Sequence, residues 1–216
     1  MSFSQRKSGF TLFEVIIAVA LVAIMAIAIA PPLIKNLNEG KVARAQSDAQ
    51  VIGNAVQAFY KDVGDWPLQY DGDVAYDTAR LVGNATLGGG NVGLPRGADA
   101  SADAWRHRGA TAVLDNLLIY NRDGAGNTPL YTVSANPHVR PGWNGPYLDR
   151  VPLDPWGNPF VVNIYYGRSD LATAATHNVM VLSAGPNRLF ETPFSDAMTN
   201  EQPGGDDITY VIRGAK

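Results

Sequence analysis

Residues Gly9 to Ile34 read GFTLFEVIIAVALVAIMAIAIAPPLI, and this stretch decides the fold class. From Val15 to Ile34 no residue is charged, and a helix of that length spans about 30 Å at about 1.5 Å per residue. That distance matches the hydrocarbon core of a bilayer, so the stretch can cross a membrane. Arg6 and Lys7 precede it and predict that the N-terminus stays on the cytoplasmic side.

Glu14 lies at the edge of this apolar stretch. A carboxylate there costs on the order of 1–3 kcal/mol unless it is paired, so a partner for Glu14 is expected.

The leader resembles the class III signal of type IV pilins and type II secretion pseudopilins. A short basic segment ends in Gly9, FTLFE follows over Phe10 to Glu14, and Pro31 lies in the last third of the apolar run. The resemblance implies that a prepilin peptidase cleaves after Gly9 and methylates the new N-terminus at Phe10. The ammonium group created at Phe10 would be a natural partner for Glu14, in the same subunit or in a neighbour.

Two simpler interpretations of the stretch stay open. An ordinary secretory signal would use Ala28-Ile29-Ala30 as its cleavage site, although Pro31 directly after it would block cleavage. A plain single-span anchor would explain the length and the basic flank, but neither Gly9-Phe10 nor Glu14.

The composition limits the remaining functions. The net charge is −3, 17 % of the residues are charged and no basic patch is visible, which argues against nucleic acid as a main partner. The chain has no cysteine, so the exported part must be held by its core, by assembly or by a bound ion. Many type IV pilins close a C-terminal loop with a disulfide, and its absence favours a pseudopilin.

The apolar helix is predicted to continue beyond the membrane, from about Phe10 to Val63. One apolar stripe recurs at steps of three and four residues, and Gly64 and Pro67 then predict a stop. Pro31 and Pro32 are expected to kink this helix, and the alternative is that they end it and a second helix follows. The stripe consists of Val42, Ala45, Ala49, Ile52, Val56 and Phe59.

Two further stretches resemble the G-type major pseudopilins. Gly64 to Leu68 is similar to their turn after the long helix, and Trp143 to Phe160 is similar to their WxGPYL and LPxDPWGNPY motifs. The aromatic residues of the second stretch are expected to pin its loop to the long helix. The predicted organisation is a leader over 1–9, a transmembrane and assembly helix over 10–34, its soluble half over 35–67, an inserted region over 68–142, and a C-terminal sheet with a calcium loop over 143–216.

The predicted fold class is α+β and pilin-like, with the long helix packed on a small antiparallel sheet. Three strands are predicted over Phe160 to Tyr166, His177 to Ser183 and Ile208 to Ile212. Within the inserted, partly helical region we predict short helices over Thr78 to Val82 and Ser101 to Tyr120.

The last loop resembles the calcium loop of the G-type pseudopilins. By this resemblance Asn187, Asp206 and Asp207 are the side-chain candidates for calcium, with carbonyl groups near Ala184. Asn187 stands where the family has an aspartate, which lowers the charge of the site. The alternative is a solvated acidic turn without an ion.

The resemblance implies a non-enzymatic subunit of a type II secretion pseudopilus. It would be anchored in the inner membrane by one span, with its C-terminal domain in the periplasm. It would polymerise with copies of itself in a register set by Glu14, and its partners would be the prepilin peptidase, minor pseudopilins, the assembly platform and membrane lipid. The alternatives are a type IV pilus major or minor pilin and, in another class, a membrane-anchored periplasmic enzyme or binding protein.

Overall fold

The computed structural model describes residues 9–67, 78–83, 93–107, 110–122, 129–131, 133, 142–167, 177–194 and 203–213. The chain divides into two compact units, Met1–Lys41 and Val42–Lys216.

One helix, α1, runs over Leu12–Val63 with Pro31 and Pro32 inside it. The helix therefore continues through both prolines, and the alternative of two separate helices is wrong. The predicted stop is confirmed, because Gly64 adopts a φ of +91° and its N–H donates to the Tyr60 carbonyl at 2.8 Å. A left-handed residue of this kind ends many helices, and glycine adopts it at the lowest cost.

The predicted apolar stripe of α1 is buried in the second unit. Ala45, Ala49, Ile52, Val56 and Phe59 are all 0 % exposed, whereas Val42 at the start of the predicted stripe is only partly buried. Small residues in this part of the helix allow close approach of strand β7, Ile208–Arg213, and a Cβ added to Gly53 would collide with the ring of Tyr210. Hydrogen bonds from Gln57 Nε2 to the Ile212 carbonyl at 2.9 Å and from the Tyr210 hydroxyl to Asn54 Oδ1 at 3.2 Å join the same two elements.

The main sheet has five strands in the order β3-β1-β4-β5-β7. The strands pair antiparallel except for β1 and β3, which are parallel, so the predicted antiparallel sheet is in fact mixed. A second, two-stranded parallel sheet joins β2 and β6. The strands are β1 Thr78–Val82, β2 Arg96–Gly97, β3 Ala110–Val113, β4 Val161–Asn163, β5 Val179–Ser183, β6 Leu189–Phe190 and β7 Ile208–Arg213.

The inserted region contributes two strands to the main sheet. The prediction of a helix over Thr78 to Val82 is wrong, because these residues form β1 and pair with β4 in the middle of the sheet. The predicted helix over Ser101 to Tyr120 is also wrong in extent. Helix α2 covers only Ala100–His107, and strand β3 and a π-helical turn over Asn116–Tyr120 follow it.

The predicted aromatic contacts with the long helix are confirmed for Tyr147. Its ring packs edge-on against Phe59, with 5.7 Å between the ring centroids. Trp143 packs on Tyr147 and donates its indole N–H to the Leu117 carbonyl at 2.9 Å, so it also joins this loop to the inserted region. Trp156 is only partly buried.

Phe59→Ala should lower the free energy of unfolding by about 3–5 kcal/mol, because it empties the site where the helix meets the rings of Tyr131 and Tyr147. The measurement is denaturant unfolding of the full chain in a mild detergent, followed by tryptophan fluorescence. Val51→Ala is the control, because Val51 lies on the same helix and is 49 % exposed. Equal losses in the two variants would contradict the burial of this stripe.

Candidate functional site

The apolar side chains in the N-terminal part of α1 are exposed. The helix contains a stretch long and apolar enough to cross a membrane, and none of that stretch is buried within the chain. Phe10, next to the predicted cleavage point, is 88 % exposed. A surface this apolar is stable only against lipid or against other apolar helices.

Glu14 closes the first turn of this helix by a reciprocal pair of bonds with Thr11. The Glu14 carboxylate accepts the Thr11 N–H at 2.9 Å and the Thr11 hydroxyl at 3.0 Å, both at Oε2. The Glu14 N–H in turn donates to Thr11 Oγ1 at 3.2 Å. This is a capping box, in which two backbone donors that the helix leaves unpaired are satisfied. In the uncleaved chain Thr11 therefore hydrogen-bonds the Glu14 carboxylate, while the pairing of Glu14 with an ammonium group at Phe10 stays a prediction.

The second candidate site is the loop between β5 and β7. Asp154 binds the end of β5, from which this loop starts. Asp154 is 4 % exposed and accepts the Ser183 hydroxyl at Oδ2 over 2.7 Å. Its other oxygen accepts the N–H groups of Trp156 and Asn158, which closes the Asp-Pro-Trp-Gly-Asn turn. The buried Ser183 is the last residue of β5, so this turn is bonded to the chain directly before the loop begins.

Two of the predicted calcium residues are directly joined. The Asn187 N–H donates to Asp206 Oδ2 at 3.2 Å. Gly185 allows this approach, because it adopts a φ of +62° and a Cβ there would collide with the Asp206 carbonyl. The Asn187 side-chain oxygen accepts the Leu189 N–H at 2.7 Å, so it is already engaged within its own turn.

Asp207, the third predicted residue, is buried and holds the next part of the loop. Its Oδ2 atom accepts the N–H groups of Glu191 at 2.8 Å and Thr192 at 2.6 Å. Its Oδ1 atom and the Oδ1 atom of Asp206 are both buried without a hydrogen-bond partner. A buried oxygen without a donor is costly, and a proton or a cation would satisfy it.

Glu191 belongs to the site although the sequence did not single it out. Its Oε2 atom accepts the Asp206 N–H at 3.0 Å and the Asn187 side-chain amide at 2.8 Å. In the sequence, only its position four residues after Asn187 could have indicated that Glu191 lies near the site. The resemblance to the pseudopilin calcium loop did not include this residue.

The protonation of the three carboxylates follows from these contacts. Burial raises the pKa of Asp207 from 3.8 to about 6, although its bonds from Thr192 and Glu191 oppose the change. Burial also raises the pKa of Asp206, and the Glu191 charge adds to this. The donors from the Asp206 backbone and the Asn187 side chain lower the pKa of Glu191.

Across the described residues, no three or more histidine, aspartate or glutamate side chains are grouped as a metal centre would need. A cation in this loop would therefore depend on the two aspartates together with carbonyl groups. Such a mixture of hard oxygen donors is typical of calcium sites. A cation would supply the partner that the two buried carboxylate oxygens lack.

Comparison with known protein families gives two matches. The prokaryotic N-terminal methylation motif matches residues 4–30, and the type II secretion system protein G domain matches residues 122–198. The second match starts within the segment 68–142, which the sequence predicted as an insertion.

Three curated relatives are all type II secretion system core protein G. The chain is 25 % identical to the Aeromonas hydrophila protein over 156 residues, or 72 % of each chain. It is 23 % identical to the Escherichia coli K12 protein over 201 residues, or 93 % of this chain and 94 % of the relative. The Pseudomonas aeruginosa protein is 24 % identical over 156 residues. No solved structure gives a significant match. These matches confirm the predicted resemblance and do not favour the pilin or enzyme alternatives.

The raised pKa of Asp207 predicts how the stability of the metal-free chain depends on pH. Between about pH 4 and pH 6 the folded chain binds a proton that the unfolded chain has released, so the free energy of unfolding rises as the pH falls through this range. After allowance for solvent screening, the gain should be about 1–2 kcal/mol.

Asp207→Asn should reduce this gain to the part that comes from Asp206, whose pKa burial also raises, because the amide keeps an oxygen for the two N–H donors but does not titrate. The measurement is denaturant unfolding in a chelator between pH 4.5 and pH 7. Asp149→Asn is the control at an exposed carboxylate. The same pH dependence in wild type and Asp207→Asn would contradict the assignment.

Proposed function

We propose that this chain, a G-type major pseudopilin by its methylation motif and its protein G domain, is the structural subunit of a type II secretion pseudopilus. The observation that carries the proposal is the N-terminal helix, whose apolar surface is uncovered and whose first part lies within the match to the prokaryotic N-terminal methylation motif over residues 4–30. The chain is cleaved after Gly9, methylated at Phe10, and polymerises through helix residues 10–34. The subunit itself carries out no catalysis.

The capping box supports a role for Glu14 in assembly. Both bonds that the carboxylate accepts use Oε2. Cleavage after Gly9 places a new ammonium group on Phe10, one residue from Thr11, where a bond to Oε1 or to the Glu14 carboxylate of a neighbouring subunit neutralises both charges. The first turn is thus already shaped before the filament forms.

The localisation and partners follow from the same features. Before cleavage, the apolar segment anchors the chain in the inner membrane with its basic leader on the cytoplasmic side and the C-terminal domain in the periplasm. Copies of the chain form the filament, the prepilin peptidase processes it, and minor pseudopilins and the assembly platform in the membrane add it to the fibre.

Processing and assembly can be tested separately in cells that contain the secretion system. Intact mass and N-terminal analysis of the protein from native membranes should show a methylated Phe10 as the first residue, and Gly9→Ala should leave the chain uncleaved. Glu14→Ala should still be cleaved but should lose at least about nine tenths of the assembled filament, because a buried ammonium without its partner is costly.

Glu39→Ala is the matched control for the assembly test. Glu39 lies on the same helix and its side chain is 65 % exposed in a pair with Lys35. A wild-type chain that still starts at Met1, or a Glu14→Ala variant that assembles as well as Glu39→Ala, would refute the proposal.

Calcium bound in the β5–β7 loop is the second part of the proposal. Asp206 and Asp207 would bind the ion together with carbonyl groups near Ala184. Asn187 would join them as the third side-chain candidate, because its N–H is bonded to Asp206. Calcium would neutralise two carboxylates that burial disfavours, and so would pin the two ends of the loop together. Glu191 adds negative charge beside Asn187, where the resembling family has an aspartate.

Thermal melting of the full chain in detergent tests this site. A calcium concentration about 100-fold above the dissociation constant should stabilise the chain by about 2.7 kcal/mol, which raises the melting temperature by about 5–10 °C over the value in a chelator. Asp207→Asn should lose this increase and Asp149→Asn should keep it. An unchanged wild-type midpoint would exclude calcium at this loop.

A further inference from the structure

The inserted region is attached to the loop between β5 and β7. Strand β2 pairs with β6 of that loop, with Arg96 opposite Leu189 and Gly97 opposite Phe190. Just beyond β2, the Ala98 N–H donates to the Phe190 carbonyl at 2.7 Å. A strand of only two residues has little stability alone, so further contacts must hold this pairing in place.

Helix α2 supplies those contacts through Trp105. This side chain is 0 % exposed, and its ring centroid lies 5.0 Å from that of Phe194 and 6.1 Å from that of Phe190. The indole N–H donates to the Thr192 carbonyl at 2.7 Å. The Phe194 N–H also donates to the Ser101 carbonyl at 3.2 Å, so both ends of the segment 190–194 are bonded to the inserted region.

Thr192 connects this contact to Asp207. Its carbonyl accepts from Trp105, while its N–H donates to Asp207 Oδ2 at 2.6 Å. Its hydroxyl oxygen accepts the Gly204 N–H at 3.0 Å, on the far side of the loop. Thr192 is therefore the single residue between the Trp105 indole of helix α2 and the Asp207 carboxylate of the candidate cation site.

The residues of the inserted region that contact the loop are also hydrogen-bonded to one another. Asp99 caps α2 by accepting the N–H groups of Ser101 and Ala102, both at 2.9 Å. Asp103, one turn later, accepts the Gly97 N–H at 2.9 Å and so fastens β2 to α2. These bonds join the strand, the cap and the helix into one arm.

We infer that this arm, residues 96–107, is a clamp that positions Asp207, with Trp105 as its central positioning residue. The clamp holds Glu191 and Thr192 where their N–H groups meet Asp207 Oδ2, which leaves Oδ1 as the atom without a donor. The order of the loop and its readiness for a cation thus depend on the inserted region. The cation-binding aspect of this inference rests on the proposed calcium site, whereas the clamp itself does not.

Hydrogen exchange of the full chain in detergent, without metal, tests the clamp. In Trp105→Phe, which keeps an aromatic ring but loses the bond to Thr192, amide exchange in the peptide that covers residues 189–194 should accelerate by about tenfold or more. Trp143→Phe is the matched control. Trp143 is another buried tryptophan, and its indole N–H donates to the Leu117 carbonyl rather than to this loop.

Asp103→Ala provides a second variant at a partly exposed side chain, which guards against a failure of Trp105→Phe to fold. It releases Gly97 from α2 and should accelerate exchange in the same peptide by a smaller factor. The clamp is overturned if exchange in this peptide rises equally in Trp105→Phe and Trp143→Phe, or if it is unchanged in both Trp105→Phe and Asp103→Ala.

Calcium titration of the same proteins separates the clamp from the cation site. Trp105→Phe should weaken calcium binding by about tenfold and Trp143→Phe should leave it unchanged, because only the first change frees the Asp207 donors. If wild type binds no calcium but Trp105→Phe still accelerates exchange, the calcium proposal fails and the clamp stands. If calcium binds equally to all three proteins, the clamp has no influence on the cation site and this aspect of the inference is refuted.

Discussion

The globular unit depends on the close fit between one face of α1 and strand β7. The stripe from Ala45 to Phe59 is fully buried, and the small residues along it let the sheet approach the helix closely. At Gly53 even one added carbon would collide with Tyr210. Because β7 is an edge strand of the five-stranded sheet, this contact joins the sheet to the helix. The antiparallel pairing of β5 with β7, with Ser183 opposite Ile208, brings the ends of the β5–β7 loop together.

The features that sequence predicted well are those with a long or repeated pattern. The stripe repeats over several turns, and Gly64 supplies a definite stop, so the soluble half of α1 could be derived from periodicity. The strands β5 and β7 are rich in β-branched residues. In contrast, Thr78 to Val82 is too short to show a period, and its role as β1 depends on pairing with β4, far along the chain.

The candidate cation site also contains residues that the sequence predicted and residues that it did not. Resemblance supplied Asn187, Asp206 and Asp207, and the structure joins them within one loop. Glu191 was not predicted, because its contact with the Asp206 N–H exists only after the loop folds back on itself. Trp105 lies in the segment that was predicted as a helix, yet its indole N–H reaches a carbonyl far from it in sequence, which no local pattern encodes.

A long loop between two paired strands has a large closure entropy, which folding must offset. Disulfides often serve this purpose in exported proteins, but this chain has no cysteine. Here the loop is bonded at its entry by Asp154, in its middle by Trp105 and at its exit by Asp207. Burial raises the pKa of Asp207, because the charged carboxylate loses solvent where it makes the last of these bonds. The inserted region therefore reduces the loop's freedom independently of any ion, while a cation at Asp207 would remove the remaining electrostatic penalty.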